Sequence, residues 1–445
     1  PGTIGKRRID KLLFTVLEAI KAKGGYVYAD ETTVRLPNIS LSFPSVSTKE
    51  DLVYAMLQAS CTGTNATDIK RSLEATKDMS NQSKTAADSI GETPGFISDL
   101  VHVIRISMES KDICKSGLIA VKALCRVGTD ASATNSNNVI QLIKADVGDV
   151  IADIMRIHCE ETEVLEQSCR TVYTLSVISE SRDAMAVAGI CEEVVNALIR
   201  FPSSSVLVEL ACAAMRNLAI QESCRSRFVA CGGCHVLALP LRIKSGGSPF
   251  TTEHAVVAIR SMSLNTAANA QFSMNGVCES IVSVLHSPEP VLVAQACWTV
   301  RNLATLDANR VALGEHFACE AVVSALRVHT EVPGVAELGC RAVTGLAVHE
   351  RNRSRLGEQG ACEVIASVLR MYSEVSSITE QACAALVHLM WGRDTGNKER
   401  MLNAGLSTLT YELVYTNDEK AVPLSSAAIH QVGQVFTMLN AKLTI

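Results

Sequence analysis

The chain has 445 residues, 47% of them hydrophobic and 20% charged, with 41 basic and 46 acidic side chains and a formal net charge of −5. That apolar share excludes disorder as the main state, and the slight acidic excess argues against a dedicated nucleic-acid binder, which carries a basic excess. Only 11 prolines and 4% aromatics, beside abundant Ala, Val and Leu, lean toward helix.

No apolar run approaches the roughly 18 residues that span a bilayer. Lys6, Arg7 and Arg8 followed by Leu12 to Ile20 do not read as a secretory leader, because Glu18 interrupts the run and no small-residue cleavage site follows. Sixteen cysteines are too sparse for a disulfide scaffold and read as reduced thiols of a cytoplasmic chain.

In chain order, Lys6–Lys23 reads as one amphipathic helix with Leu12, Leu13, Val16, Leu17 and Ile20 on one face, stopped by Gly24 and Gly25. Tyr26–Leu36 alternates enough for a short hairpin or an extended arm. Thr48–Ser60 reads as a helix, and Ser60–Thr93, rich in Ser and Thr, as partly flexible. Residues 1–94 then form either an N-terminal cap over the end of a repeat stack or a docking arm for a partner. The insert Thr129–Asn137 reads as a polar loop.

A period of about 43 residues organises the rest. Cys169, Cys212, Cys297, Cys340 and Cys383 lie 43, 85, 43 and 43 apart, with Val256 at the vacant phase. Cys191, Cys234, Cys278, Cys319 and Cys362 form a second column, and Gly189, Gly232, Gly276, Gly360 and Gly405 a third, with Gly148 marking an earlier unit. Leu175, Leu218, Met262, Leu303, Leu346 and Leu389 follow the first column by six residues. Each unit reads as three helices. A short one ends near the glycine, as in Arg310–Glu315. A second follows, as in Val277–Leu285, and a longer third, as in Val293–Ala304. In the third, Cys297, Val300, Leu303 and Ala304 make one apolar stripe. Both cysteine columns read as buried, because a thiol acts as a small hydrophobe between tightly packed helices.

Ala294-Gln295-Ala296-Cys297-Trp298-Thr299-Val300-Arg301-Asn302-Leu303-Ala304 resembles the third helix of the armadillo repeat, with Ala211–Ala219 and Gln381–Leu386 matching more loosely. The resemblance covers residues 95–437 as eight units, the earliest with second helix Gly95–Met108 and third helix Ile113–Arg126; residues 438–445 are left as a tail. HEAT repeats are the near competitor, but their two-helix unit does not require the central glycine. The resemblance implies an all-α fold, a right-handed superhelical α-solenoid whose third helices line a concave groove.

Several strings point elsewhere. Cys231-Gly-Gly-Cys234-His235 matches haem-attachment and redox-dithiol spacing, and Cys224 nearby suggests a metal site. The repeat accounts for it otherwise: Cys234 belongs to the second column and the glycines to the ordinary turn. Gly2-Thr-Ile-Gly5-Lys6-Arg7 lacks the spacing and preceding strand of a phosphate loop, and neither a Gly-x-Ser-x-Gly elbow nor a His-Glu-x-x-His helix occurs. No enzyme activity, cofactor, metal or small-molecule substrate is expected.

Positions one and five residues after the first column share a face. In the family, the Asn of this face holds the backbone of an extended ligand. Only Asn217 and Asn302 stand there, and Trp298 is the single Trp, so the regular arrays of nuclear-import receptors are absent and a basic localisation peptide is not the expected ligand. Arg216, Arg260 and Arg301 lie four residues after the column in consecutive units, and Arg170 and Arg341 one residue after it in the flanking units. Arg suits bidentate pairing with carboxylate or phosphate. The expectation is a non-enzymatic protein-interaction scaffold that takes an extended acidic or phosphorylated segment of another protein at Arg170, Arg216, Asn217, Arg260, Trp298, Arg301, Asn302 and Arg341. The alternative is a structural subunit of a large cytoskeletal or axonemal assembly, associated with cytoskeleton or cilium.

Overall fold

The computed structural model describes residues 66–440 apart from 82–83, 128–129, 135, 243–247, 393–394 and 416–423, together with 26–27, 33–36 and 39–42. The helices expected at Lys6–Lys23 and Thr48–Ser60 lie outside the described residues. The fold is an all-α solenoid of three-helix units, with short strands beside it. Tyr26–Val27, Thr33–Leu36 and Ile39–Ser42 pair antiparallel in chain order, with Tyr26 opposite Arg35 and Thr33 opposite Ser42. The chain divides into two compact units, Pro1–His158 and Cys159–Ile445.

In the first, the Ser/Thr-rich stretch expected to be partly flexible holds helices Ala66–Ser80 and Lys84–Glu92. Ala66–Ser80 packs on Lys111–Cys125, and Ser72, Thr76 and Ser80 are buried there. Each hydroxyl donates to a carbonyl three or four residues back: Ser72 to Ile69, Thr76 to Ser72 and Ser80 to Thr76, at 2.8–2.9 Å. Satisfied inside their own helix, these small polar groups are buried without penalty. Lys84–Glu92 supplies the first helix of the earliest repeat, ahead of Phe96–Ile106 and Lys111–Cys125. The expected polar loop contains instead the strand Asp130–Thr134, which pairs antiparallel with Arg126–Val127 just before it.

In the second unit the third helices run Thr162–Leu175, Ser205–Leu218, Pro249–Met262, Pro290–Leu303, Pro333–Ala347, Ser376–Leu389 and Ser426–Asn440, each packed on the next. The last runs past the expected boundary at 437 and buries Leu439. Pro290 and Pro333 begin third helices, where the missing N–H is one that a helix leaves unpaired anyway. Cys169, Cys212, Val256, Cys297, Cys340 and Cys383 are completely buried. The residue before each is small: Ser168, Ala211, Ala255, Ala296, Gly339 and Ala382. At Gly339 an added Cβ would sit 2.5 Å from Leu326 Cδ2, on the repeat's own second helix. The small column is therefore the slot that receives the second helix.

Between first and second helices the chain turns through one residue at positive φ, namely Gly189, Gly232, Gly276, Gly360 and Gly405. Phe317 makes this turn in one repeat at φ 67°, and in the first unit Asp146 makes it at φ 59°. Gly148, expected to mark that turn, is instead buried inside Val147–Ile157.

First helices interlock through buried amides. Asn309 Nδ2 donates to the Asn269 carbonyl at 2.9 Å, Asn352 to Arg310 at 2.8 Å and Asn397 to Arg353 at 3.1 Å, each one repeat back. An added Cβ at Gly314 would fall 2.1 Å from Asn352 Oδ1, and one at Gly357 1.6 Å from Asn397 Oδ1. These glycines are required by close approach. In the first unit Asn138 donates to Ala87 at 3.1 Å and lies over Gly91 in the same way.

Asn352→Ala, which removes the amide bond to the Arg310 carbonyl, is expected to destabilise by about 0.5–1.5 kcal/mol, and Gly314→Ala by about 1–3 kcal/mol through forced displacement. Urea unfolding midpoints of the double variant should show a loss smaller than the sum, with a coupling of about 0.5–3 kcal/mol; strict additivity would remove the interlock. The thiols of the first column are also unreactive: burial pushes Cys169, Cys212, Cys297 and Cys383 up to about 12. Thiol labelling of the native protein at pH 8 should leave these cysteines unmodified until denaturant is added, and rapid labelling of the whole column would refute the register.

Candidate functional site: the exposed face of the third helices

Third helices bury one face in the stack and show the other. In Pro290–Leu303, Val293, Ala296, Cys297, Val300 and Leu303 are buried, while Gln295, Trp298, Arg301 and Asn302 are not. The stripe spacing read from sequence therefore places the expected site residues on the open face.

The arginines there do not form a bare cationic strip. Arg216 Nη1 lies 3.2 Å from Glu253 Oε1 and donates to His254 Nδ1 at 3.1 Å. Arg341 Nη2 donates to Glu337 Oε1 at 2.9 Å. Arg260 Nη1 donates to Gln295 Oε1 at 2.6 Å, and its guanidinium stacks 4.3 Å from the centre of the Trp298 ring. Arg170 carries a buried Nε with no hydrogen-bond partner among the described residues. Arg301 has neither ion pair nor side-chain hydrogen bond among them. It lies where Gly345 leaves room, since a Cβ there would come 3.2 Å from Arg301 Cδ.

The two asparagines are engaged as well. Asn217 Nδ2 donates to the Tyr173 carbonyl and Asn302 Nδ2 to the Arg260 carbonyl, both at 3.1 Å and both one repeat back. Expected to grip a ligand's backbone, they tie neighbouring third helices together.

Two further columns share the cysteine period and were legible but unread. Glu166, Glu209, Glu253, Glu337 and Glu380 stand three residues before the first column, with Ala294 at the one vacant phase. They supply the acids that meet Arg216 and Arg341, and Glu209 Oε2 accepts from Thr251 Oγ1 at 3.3 Å. The gap at Ala294 leaves Arg260 with the neutral amide of Gln295 where Arg216 has Glu253. Arg260 and Arg301, on either side of Trp298, are the guanidiniums of this stretch with no carboxylate partner among the described residues. The second column is Arg182, Arg225, Arg310 and Arg353 on first helices. Each Nη1 donates to a carbonyl at the end of the preceding third helix: Ser176 at 3.1 Å, Ala219 at 2.9 Å, Ala304 at 2.7 Å and Ala347 at 2.8 Å. A cation is favourable at a helix C-terminus, so these four arginines cap helices.

Cys231-Gly-Gly-Cys234-His235 forms the ordinary inter-helix turn. Gly232 takes φ 89°, and a Cβ on Gly233 would meet the Phe228 carbonyl at 2.9 Å. Burial pushes the Cys231 thiol up to about 11 and the Cys234 thiol to about 12, so neither is an activated thiolate. Among the described residues no group of three or more His, Cys, Asp or Glu is placed to hold a metal ion, and no helix is long and apolar enough to cross a membrane.

No family model and no curated protein matches the chain. Solved structures do. An engineered protein known from its crystal structure superposes with a TM-score of 0.75 at 18% identity, over 87% of this chain and 89% of its own. A second engineered protein superposes with a TM-score of 0.50 at 19% identity, over 56% of this chain and 97% of its own. A designed armadillo repeat protein gives 0.48 at 17% identity, over 56% of this chain and 99% of its own. At these identities the likeness is one of fold. With the three-helix unit and its repeat period, the fold is an armadillo-like helical repeat.

The site makes a titration prediction. His254 is held below its ordinary pKa, first by burial and then by Arg216, with Glu253 and Glu209 opposing. The stability it contributes is present above the unfolded value near 6.5 and is lost as pH falls through the depressed folded value. NMR titration should place the His254 midpoint below 6.5, and Arg216→Ala should raise it; an unmoved midpoint would disconnect the pair.

Proposed function

We propose that the chain is a non-enzymatic scaffold for other proteins and that its third helices hold an extended acidic or phosphorylated segment. The observation that carries this reading is a pair of guanidiniums on the open face, Arg260 and Arg301, with no carboxylate partner among the described residues. Arg301 is unpaired among the described residues, Arg260 meets a neutral amide rather than an acid, and Trp298 is 38% exposed between them. A guanidinium left without a carboxylate is the group best prepared to take one from a ligand, or a phosphate in its place. Trp298 offers an apolar face, already polarised by Arg260, against which a ligand side chain can pack. Arg216 and Arg341 play a lesser part, because Glu253 and Glu337 already neutralise them. The Oδ1 atoms of Asn217 and Asn302 serve as acceptors for ligand amides, since their Nδ2 groups are engaged. No catalytic constellation is part of this reading.

The test is a fluorescently labelled peptide of aspartate and phosphoserine with a central leucine, titrated into the wild type and into Arg260→Glu/Arg301→Glu. Affinity should fall as salt rises and drop by at least about tenfold in the double variant, equivalent to about 1.4 kcal/mol. Arg216→Glu alone should do less. Equal affinity in all three, with unchanged melting curves, would place the interface elsewhere.

A further inference from the structure

A second surface repeats along the stack and is apolar. The residue eight positions after the first cysteine column is Val177, Ile220, Leu264, Thr305, Val348 and Trp391 in successive repeats. Val177 is 48% exposed, Ile220 55%, Leu264 66%, Val348 41% and Trp391 59%. One exposed apolar residue needs no explanation, but a row of them at a single repeat phase does. The row lies where each third helix ends and the next first helix begins. An apolar residue just before a helix commonly packs on the fourth residue of that helix. Here that residue is Arg182, Arg225, Asn269 or Arg353, and each arginine turns its Nη1 to the end of the preceding third helix. The apolar side chains are left about half in solvent.

Spacing selects what can cover them. Packed neighbouring helices lie about 10 Å apart. Seven residues of α-helix rise about 10.5 Å, so a helix laid along the row presents positions i, i+7 and i+14 to three successive repeats from one face. An extended strand advances about 3.3 Å per residue. It meets each repeat every third residue, and these point to alternate faces. Charge sets one flank of the first two of these repeats: Glu180 and Glu222 stand in the first turn after Val177 and Ile220, Glu222 paired with Arg225 and Glu180 without an ion pair among the described residues.

We propose that Val177, Ile220 and Leu264 form a docking strip for an amphipathic α-helix of a partner protein, one with apolar residues seven apart and basic residues along one flank. This surface is distinct from the window at Arg260, Trp298 and Arg301, whose proposed ligand is acidic and extended. The two can be occupied independently.

The probe is a synthetic three-heptad helical peptide with leucine every seventh residue and lysines on one flank. Its control has the same composition with leucines five apart. Fluorescence anisotropy should show the heptad peptide binding the wild type, with affinity at least about tenfold lower for Ile220→Ser/Leu264→Ser and unchanged for Arg301→Glu. Melting curves of both variants should match the wild type, since the replaced side chains are exposed. The proposal is overturned if the heptad peptide does not bind, if the control binds equally well, or if the serine variant binds as tightly as the wild type. Loss on Arg301→Glu with retention on the serine variant would also overturn it, by placing the helix at the window.

Discussion

A side-chain amide reaching back one repeat to a backbone carbonyl is the contact on which the C-terminal half of the stack depends. Apolar packing holds the repeats together but is indifferent to small slides, since it scales with area and has no direction. The amides of Asn309, Asn352 and Asn397 are directional and buried, so a slide would break their bonds to the preceding repeat and leave the amide donors short of partners in a dry interior. Gly314 and Gly357 provide the close approach that Asn352 and Asn397 need. Thus the register of each unit on the next is set by polar groups, while most of the driving force comes from the Cys, Val and Leu around them.

The open face of the third helices inherits that register. Arg216 and Glu253 belong to neighbouring third helices, as do Arg260 and Gln295, so their pairings form only if the helices are correctly phased. Asn302 fastens the second of these pairs from the open side, and Asn217 fastens Ser205–Leu218 to Thr162–Leu175. Arg216 and Arg341 are neutralised by carboxylates of the face itself. Where Ala294 stands in the glutamate column, Arg260 meets the neutral amide of Gln295 instead.

The sequence carried the fold through columns of identical residue types. Cysteine repeats at 43 residues because a small apolar group suits a completely buried position between packed helices, and that periodicity is visible without coordinates. Glycine was a good guide to the turn except where Asp146 and Phe317 take positive φ, a conformation that side chains rarely adopt and that sequence gives no reason to assign to them. The helix Ala66–Ser80 was hidden because its Ser and Thr hydroxyls bond within the helix, which composition reads as loop. At the site, the arginine columns are legible in the sequence, and so are the glutamates, which lie in the same helices at the same period, seven residues before Arg216 and Arg260. Which arginine meets which acid is not legible, because pairing across a repeat boundary is a property of the stack.

The claim that buried amides set the register is most directly tested by hydrogen exchange on Asn352→Ala. In a linear stack each unit contacts only its neighbours, and opening is local. The account predicts faster amide exchange in Asp307–Glu315 and Glu350–Glu358, with Thr162–Leu175 and Ser205–Leu218 as protected as in the wild type. Unchanged exchange in the two first helices, or a uniform rise along the whole chain, would contradict it.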